Sequence, residues 1–583
     1  MQKNIIIIDS GIDLNNTNFN NDELIFKSLI SDSIQDSLGH GTAIYSILRR
    51  QLTNYHISII KIFNSYNVDV NLLVEALEYI YKNYTDGIIN MSLGIFKIRN
   101  ITKLTKICRK LFNKGFVLIS ALSNDGGMSY PASLPMVIGV DNYVNCKTIN
   151  EYAVTNNKNI NFCAYGQIQR VKGLNNKSLF MSGTSLACAN FTNIFCDMYV
   201  KCNYNRNVTL SKLTEEATYK IFISEFELYN LKRLKSIQNI AVFPFTKEII
   251  SLIHFETLLP FKIKRVFDYS SSFRIGANVS QIFPYINSNL KIENILDFQK
   301  SNDFDTIVIG CMDFETNVYN FSELKKIFYK MTTFNKQIIF LDDKFENLLS
   351  YHKNIHTIKL TEKYKVKNFC GKLWNINVPV LGIFGTSSKQ GKMTLQLNLR
   401  KEFLKNNYKL GQIGSEPQSL LFDFDTCVPY GFNCTNTLNG EDLILYLNHS
   451  QHYLESKKKV DIIIVGGQSN VINHQFKNAY EFNLTSEAFI VGCNPDIIIL
   501  CINVFDSIKY IEKSVKYMET ITNSKVICFV LNRFNKNILG FVQYDDKHFE
   551  QQKANLEVYF NIPVFFDNEY KNVYNFIIGE LTK

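Results

Sequence analysis

Short runs of β-branched residues alternate with longer stretches of helical period over the first two hundred positions. Ile5–Asp9, Ile57–Phe63, Gly87–Leu93, Phe116–Leu122 and Met136–Val140 are five to seven residues long and mostly apolar. Runs of that length, flanked by Gly, Asn and Asp, read as strands buried on both faces of a parallel sheet. Between them, Leu72–Lys82 and Leu104–Lys114 carry apolar residues at helical spacing and serve as crossover helices. A polar, Asn-rich stretch at Lys201–Val208 breaks the pattern, and Leu210–Leu234 reads as a helical connector. The alternation resumes at Asn239–Phe245 and continues through Ile263–Tyr269, Asp305–Cys311 and Gln337–Asp343. It restarts at Val378–Thr386 and runs through Val460–Gly467, Pro495–Phe505 and Lys525–Phe534. The expected class is α/β throughout, with a first domain at 1–205, a connector at 206–238, a second domain at 239–375 and a third at 376–583.

Composition changes this picture little. At 583 residues, 46% hydrophobic and 20% charged, the chain is that of an ordinary globular protein of several domains. The net charge of +10 is small for the length and its lysines are scattered, so no nucleic-acid surface is expected. None of the 13 cysteines falls in a CxxC pair or a zinc spacing, and most lie in apolar runs, as reduced buried thiols do. The opening residues form a strand rather than a signal peptide, and no run approaches the roughly 20 apolar residues of a membrane span. A cytoplasmic protein without membrane contact is expected.

Three residues stand out in the first domain. Asp9 ends an apolar strand and is followed by Ser10-Gly11, at the carboxyl end of a parallel strand, where α/β sheets place their chemistry. His40 lies between Gly39 and Gly41, ahead of the helical run Ala43–Arg50. Ser185, in Ser182-Gly183-Thr184-Ser185, opens the helical segment Leu186–Val200, whose N-terminal N–H groups favour a developing oxyanion. Each alone has an ordinary structural use: Asp9 as a helix cap, His40 as a structural imidazole, and Gly183-Thr184-Ser185 as a common cap sequence. Together they stand in the chain order Asp, His, Ser of the subtilisin arrangement.

Residues 1–205 resemble the subtilases, the subtilisin-like serine proteases. Asn90-Met91-Ser92-Leu93-Gly94, Ser123-Asn124-Asp125-Gly126 and Tyr130-Pro131-Ala132-Ser133 extend the likeness. The resemblance implies Asp9, His40 and Ser185 as catalytic triad, Asn124 as oxyanion donor, and Ser92, Leu93 and Gly94 as the strand that pairs with substrate. Two positions depart from the pattern: Ala189 stands where proline is usual, and Ser123 where glycine is. No calcium-site motif is visible. With the aspartate ninth in the sequence, no propeptide is expected ahead of it.

Near the start of the third domain, Gly385 to Thr394 follow an apolar strand and precede the helical run Leu395–Leu404. A glycine-bearing turn there points backbone N–H groups at phosphate, and Lys392 reaches the terminal oxygens. The strict motif has four residues between the glycines and Ser/Thr directly after Lys. This loop has five, and Met393 precedes Thr394; an ordinary strand–turn–helix corner is the alternative. Residues 378–583 resemble the P-loop families around dethiobiotin synthetase. They are similar also to a P-loop family that includes amino-acid N-acyltransferase-like members, through Gly414-Ser415-Glu416-Pro417-Gln418, Gly467-Gln468-Ser469 and Asn494-Pro495-Asp496. Where that family tends to carry Glu, this chain has Gly466. The resemblance implies nucleotide contacts from Gly385, Thr386, Ser387, Gly391, Lys392, Met393, Thr394 and Asn532. ATP or GTP with Mg²⁺ would be the cofactor, with Glu416, Asp423 and Asp461 as candidate metal ligands, and proteolysis would need none.

Taken with the middle domain, read as Rossmann-like, the C-terminal half is similar to a protein of clostridial systems that mature small Cys-rich ribosomal peptides. The expected function is a subtilase that removes the leader of such a precursor peptide, acting among other maturation proteins. The alternatives are a P-loop ligase or acyltransferase with an accessory protease, and a general intracellular protease. If the attached domains only select substrate, deleting 239–583 should leave the cleavage chemistry intact.

Overall fold

The computed structural model describes residues 4–582 apart from 16–24, 53–54, 66–67, 96–100, 125–126, 158–159, 223–224, 232–236, 270–271, 313–319, 344–353, 368–370, 431–434, 468–469, 474–483, 534–535, 538–539 and 542–545. The chain divides into two compact units. Met1–Glu225 and Lys367–Asn377 form the first, and Phe226–Val366 with Val378–Lys583 the second.

In chain order the first unit contains β1 (Asn4–Asp9), β2 (Ile25–Ser28), α1 (His40–Arg49), β3 (His56–Lys61), α2 (Val70–Asn83) and β4 (Ile88–Met91). Next come α3 (Thr102–Lys114), β5 (Val117–Ala121), β6 (Ile138–Asn142), β7 (Tyr152–Thr155), β8 (Phe162–Ala164), β9 (Gln169–Lys172) and β10 (Ser178–Met181). The unit's own stretch closes with α4 (Thr184–Lys201), α5 (Arg206–Glu215) and β11 (Tyr219–Ile221). Among the described residues, nine of these strands make one sheet in the order β11-β7-β8-β6-β5-β4-β1-β3-β2. All its neighbours are parallel except β7 and β8.

Alternation along β1 explains the layering. Ile5 and Ile7 pack into one core with Ile44, Leu48 and Phe191, contributed by α1 and α4. Ile6 and Ile8 face the other way, onto Leu73 and Leu77 of α2 and Leu104 and Leu111 of α3. A strand covered on both faces must be apolar at every position, which is why this run contains four consecutive isoleucines.

Among the described residues, the stretch expected as a helical connector is helical only over α5. Tyr219–Ile221 then runs extended and pairs parallel with β7. Tyr219 and Ile221 pack against the cluster of Leu122, Met128, Ala132, Ala153, Ile160 and Cys163, so tertiary burial overrides the helical reading. Trp374, from the segment Lys367–Asn377, packs on the same cluster.

Among the described residues, the second unit holds two large parallel sheets. Its first has the spatial order Ile292–Asn294, Lys262–Asp268, Asn239–Phe243, Thr306–Ile309, Gln337–Phe340, Ile355–Thr357. Numbered along the chain this is 3-2-1-4-5-6, the Rossmann order. Its second runs Thr426–Cys427, Leu410–Gly414, Ile462–Gly466, Val380–Gly385, Ile497–Asn503, Lys525–Asn532, Val564–Phe566. The two sheets belong to one compact unit: Lys359–Leu360 pairs with Thr435–Asn436, and Lys365 bridges to Asp442 at 2.6 Å.

Candidate active site

Asp9 is the last residue of β1 and is wholly buried; its Oδ1 accepts the Ser10 N–H at 2.8 Å. His40 is the first residue of α1, and its Nδ1 lies 2.7 Å from Asp9 Oδ1. The helix can begin there because position 41 is glycine: a Cβ would sit 2.2 Å from the carbonyl oxygen of Gly11. Burial opposes a charge on His40, but the Asp9 carboxylate, with Asp36 beyond it, outweighs burial and holds the imidazole pKa above its ordinary value. The side chain nevertheless keeps 21% of its surface exposed.

Asp36 went unnoticed in the sequence. It is buried, and its Oδ1 accepts from Ser10 Oγ, Leu38 N and Gly39 N, each at 2.9 Å. Its Oδ2 accepts from Thr42 N at 2.9 Å and Thr42 Oγ1 at 2.7 Å. One carboxylate thus ties the loop before His40 to the Ser10 turn and to the first turn of α1. The only sequence signal is an acid three residues ahead of a Gly-His-Gly, which reads as surface until the hydrogen bonds are seen.

Parallel pairing of Ile7 with Asn90 brings the end of β1 beside the residues that follow β4. Ser92 links them to the serine: its Oγ lies 3.0 Å from both Asn90 Oδ1 and Ser185 O, and its carbonyl accepts from Ser185 Oγ at 2.8 Å. Ser185 is the second residue of α4, where backbone N–H groups lack partners within the helix. In this arrangement the Ser185 hydroxyl points at the Ser92 carbonyl. Asn124 is exposed, and its Oδ1 accepts from Thr184 N at 2.8 Å. Because a backbone N–H can only donate, that bond fixes the amide's orientation and leaves Nδ2 on the opposite side. Of the expected substrate strand, Ser92 and Leu93 are buried, and the Leu93 carbonyl accepts from Ser120 Oγ at 3.3 Å. Ile95 pairs with Tyr130 at 2.8 and 3.1 Å. Gly94 lies over Ser129, whose buried Oγ has no hydrogen-bond partner among the described residues. Ala189 sits in the core at the place of the usual proline, and Asp125 and Gly126 lie outside the described residues.

In the second unit, Gly385 ends the central strand and Gly391 caps the helix Lys392–Lys405 with φ +78°. The loop between them is filled by its own side chains. Ser387 N donates to Gln390 Oε1 at 2.9 Å, Gln390 Nε2 to Thr386 Oγ1 at 2.6 Å, and Lys392 Nζ to Ser387 O at 2.7 Å. Thr386 Oγ1 is also held by Asp506, and Asn532 Nδ2 donates to Lys389 O at 3.3 Å. Met393 is buried and Thr394 exposed in the helix's first turn. Burial pushes the Lys392 ammonium down and the Glu416 carboxyl up, each partly countered by the other's charge. Glu416 therefore lies near the P-loop lysine. Asp423 and Asp461 do not join it as metal ligands. Asp461 precedes the strand Ile462–Gly466, at the sheet end away from the loop, and binds Lys409 N at 2.8 Å. Asp423 caps a 3₁₀ turn, its carbonyl held by Arg400 at 3.3 Å. Among the described residues no three acids, histidines or cysteines gather as a metal site. At Gly466, where the resembling family tends to carry Glu, a Cβ would fall 2.0 Å from the end of the Gln396 side chain, which would have to swing away to admit one. Gln468 and Ser469 lie outside the described residues.

Comparison with known proteins covers both ends of the chain. Residues 4–220 match the subtilase family, and residues 367–565 match a family described as a P-loop domain of unknown function, DUF1611. None of the curated proteins compared matches. Among solved structures, a cold-adapted subtilisin-like serine proteinase is 17% identical, with a TM-score of 0.31, covering 37% of this chain and 82% of that one. The prenylagaramide maturation protease PagA is 21% identical, with a TM-score of 0.28, covering 35% and 78%. A DUF1611 family protein from Anabaena variabilis is 13% identical, with a TM-score of 0.44, covering 59% and 99%. In the described residues no helix is long and apolar enough to cross a membrane. The chain carries a subtilase-family domain at its N-terminal end and a DUF1611 P-loop domain at its C-terminal end.

Proposed function

We propose that the first unit is a serine endopeptidase in which Asp9, His40 and Ser185 act as triad and Asn124 as oxyanion donor. The observation that carries this is the buried Asp9 carboxylate 2.7 Å from His40 Nδ1, beside a strand end whose Ser92 holds Ser185. Asp9 fixes the His40 tautomer with Nε2 as the basic nitrogen and stabilises the imidazolium. The Ser185 hydroxyl leaves the Ser92 carbonyl and gives its proton to His40 Nε2 as Oγ bonds to the scissile carbonyl carbon. The tetrahedral oxyanion takes hydrogen bonds from Asn124 Nδ2 and the N-terminus of α4. As the C–N bond breaks, the amine leaves with the proton from His40, and water then hydrolyses the acyl-enzyme by the same steps in reverse.

The substrate is a ribosomally made precursor peptide, shortened by leader removal in the cytoplasm. What supports this reading is the fusion of a small protease to a second α/β unit of more than three hundred residues that carries none of the protease motifs. Holding a peptide remotely raises its effective concentration at Ser185, on the order of mM for a short tether. In the same reading the P-loop binds ATP or GTP with Mg²⁺ through Lys392, near Glu416. The test is hydrolysis by the full-length protein of a precursor peptide and of casein peptides. A fluorophosphonate should label Ser185, Ser185→Ala should abolish cleavage, and kcat/KM should favour the precursor at least tenfold. Undiminished cleavage by Ser185→Ala would sink the triad. Equal kcat/KM for the two peptides would remove the maturation role alone.

A further inference from the structure

The segment Lys367–Asn377 lies far along the chain, where the DUF1611 match begins, yet it is part of the first unit. Its contacts there are specific. Leu373 O accepts from Met128 N at 2.6 Å, and Trp374 packs on the cluster around Leu122 and Met128. Lys372 is 3% exposed, and its Nζ donates to Ser123 O at 3.0 Å and lies 3.3 Å from Asp141 Oδ1, an acid equally buried.

Both partners of Lys372 lead to the serine. The Ser123 carbonyl belongs to the peptide group whose other end is Asn124, so a bond to that oxygen fixes the plane from which Asn124 projects. Asn124 Oδ1 in turn holds Thr184 N at 2.8 Å. From Asp141 a second path runs by hydrogen bonds: Asn142 N to Asp141 Oδ1 at 2.7 Å, Gly166 N to Asn142 Oδ1 at 3.0 Å, and Gly183 N to Gly166 O at 2.8 Å. An ammonium this deeply buried is costly unless paired and hydrogen-bonded, and here it is both. Had the strap served only to bury surface, an apolar side chain at 372 would do as well or better.

We propose that Lys372 is a positioning residue of the protease, which holds the Ser123–Asn124 peptide so that Asn124 Nδ2 meets the oxyanion. The proposal rests on the protease reading above. A misplacement of about 1 Å at such a donor costs on the order of 10²-fold, so loss of Lys372 should slow the chemical step while leaving peptide affinity nearly unchanged.

The experiment is a double-mutant cycle in the full-length protein, with fluorophosphonate labelling of Ser185 as the rate, since this reaction builds charge on an oxygen in the same place. Lys372→Met should label about 10–100-fold more slowly than wild type, and peptide cleavage should lose kcat with KM changed less than about threefold. In an Asn124→Ala background the same substitution should cost less than about twofold. Trp374 is the one tryptophan of the chain, so its emission maximum reports whether the strap stays docked. Unchanged emission together with the slower rate supports positioning. If Lys372→Met does not fold, Lys372→Gln takes its place in the cycle. Equal losses in the two backgrounds, or no loss in either, would overturn the proposal. A wild-type protein that fails to label would remove the protease reading itself.

Discussion

Asp36 carries no reacting atom, yet five hydrogen bonds converge on its two oxygens from Ser10, Leu38, Gly39 and Thr42. Asp36→Ala would strand buried donors on three segments at once. It should lower stability by about 3 kcal/mol, read from the midpoint and slope of urea unfolding, and reduce kcat through a displaced His40. At His40 itself, activity and stability depend on opposite protonation states. Asp9 holds the imidazole pKa up against burial, and a general base must be neutral. kcat/KM should therefore fall as pH drops through a value above the ordinary imidazole range near 6.5. The imidazolium's pairing with Asp9 stabilises the fold fully below the unfolded-state pKa, and that contribution is lost as pH rises through the raised folded value. Asp9→Asn should move the kinetic pKa downward; a profile whose lower limb stays put would detach it from this pair.

At the scale of elements, Gly183 links geometry to rate. Its φ of +135° is strained for any other residue, and a Cβ there would lie 2.7 Å from Asn124 Oδ1. Gly183→Ala should cost about 1–2 kcal/mol of stability, measured by thermal unfolding. It should also cost kcat on the order of 10², as removal of an oxyanion donor does. In the P-loop, Gln390 occupies the Ser387 N–H that a phosphate would need. Gln390→Ala should tighten Mg-nucleotide binding by about 2–10-fold in calorimetry, and Lys392→Ala should weaken it. What could be read without a structure was what the chain encodes locally. The Ile5–Asp9 strand announces itself as a short unbroken apolar run, the helices at Leu72 and Leu104 by their period, and Asp9, His40 and Ser185 by their chain order and the glycines around them. Strand Tyr219–Ile221, the five bonds to Asp36 and the fall of Asp461 at the wrong end of its sheet depend on which segments meet. No window of sequence contains that information.

On the scale of the molecule, the domain boundary expected at 375–376 lies inside a segment, Lys367–Asn377, that packs with the first unit. Lys367–Asn377 belongs with Met1–Glu225, so the two compact units are interleaved along the chain rather than placed end to end. On the positioning proposal, removing 239–583 should slow the chemistry, whereas pure substrate selection by the attached domains predicts that it is spared. A protein ending at Glu225 lacks the strap and should label with fluorophosphonate at least about tenfold more slowly than the full chain; equal rates would show the strap to be dispensable.

That interleaving also gives the protease a schedule. Lys372 follows Ser185 by about 190 residues, and ribosomes add roughly 5–20 residues per second. For some 10–40 s after Ser185 has been synthesised, the nascent chain would, on the positioning proposal, hold its three proposed triad residues without the lysine that steadies the Ser123–Asn124 peptide. The middle sheet is translated during that interval. On the positioning proposal, the full cleavage rate is then reached only after the middle sheet has been translated, so the order of synthesis itself delays it.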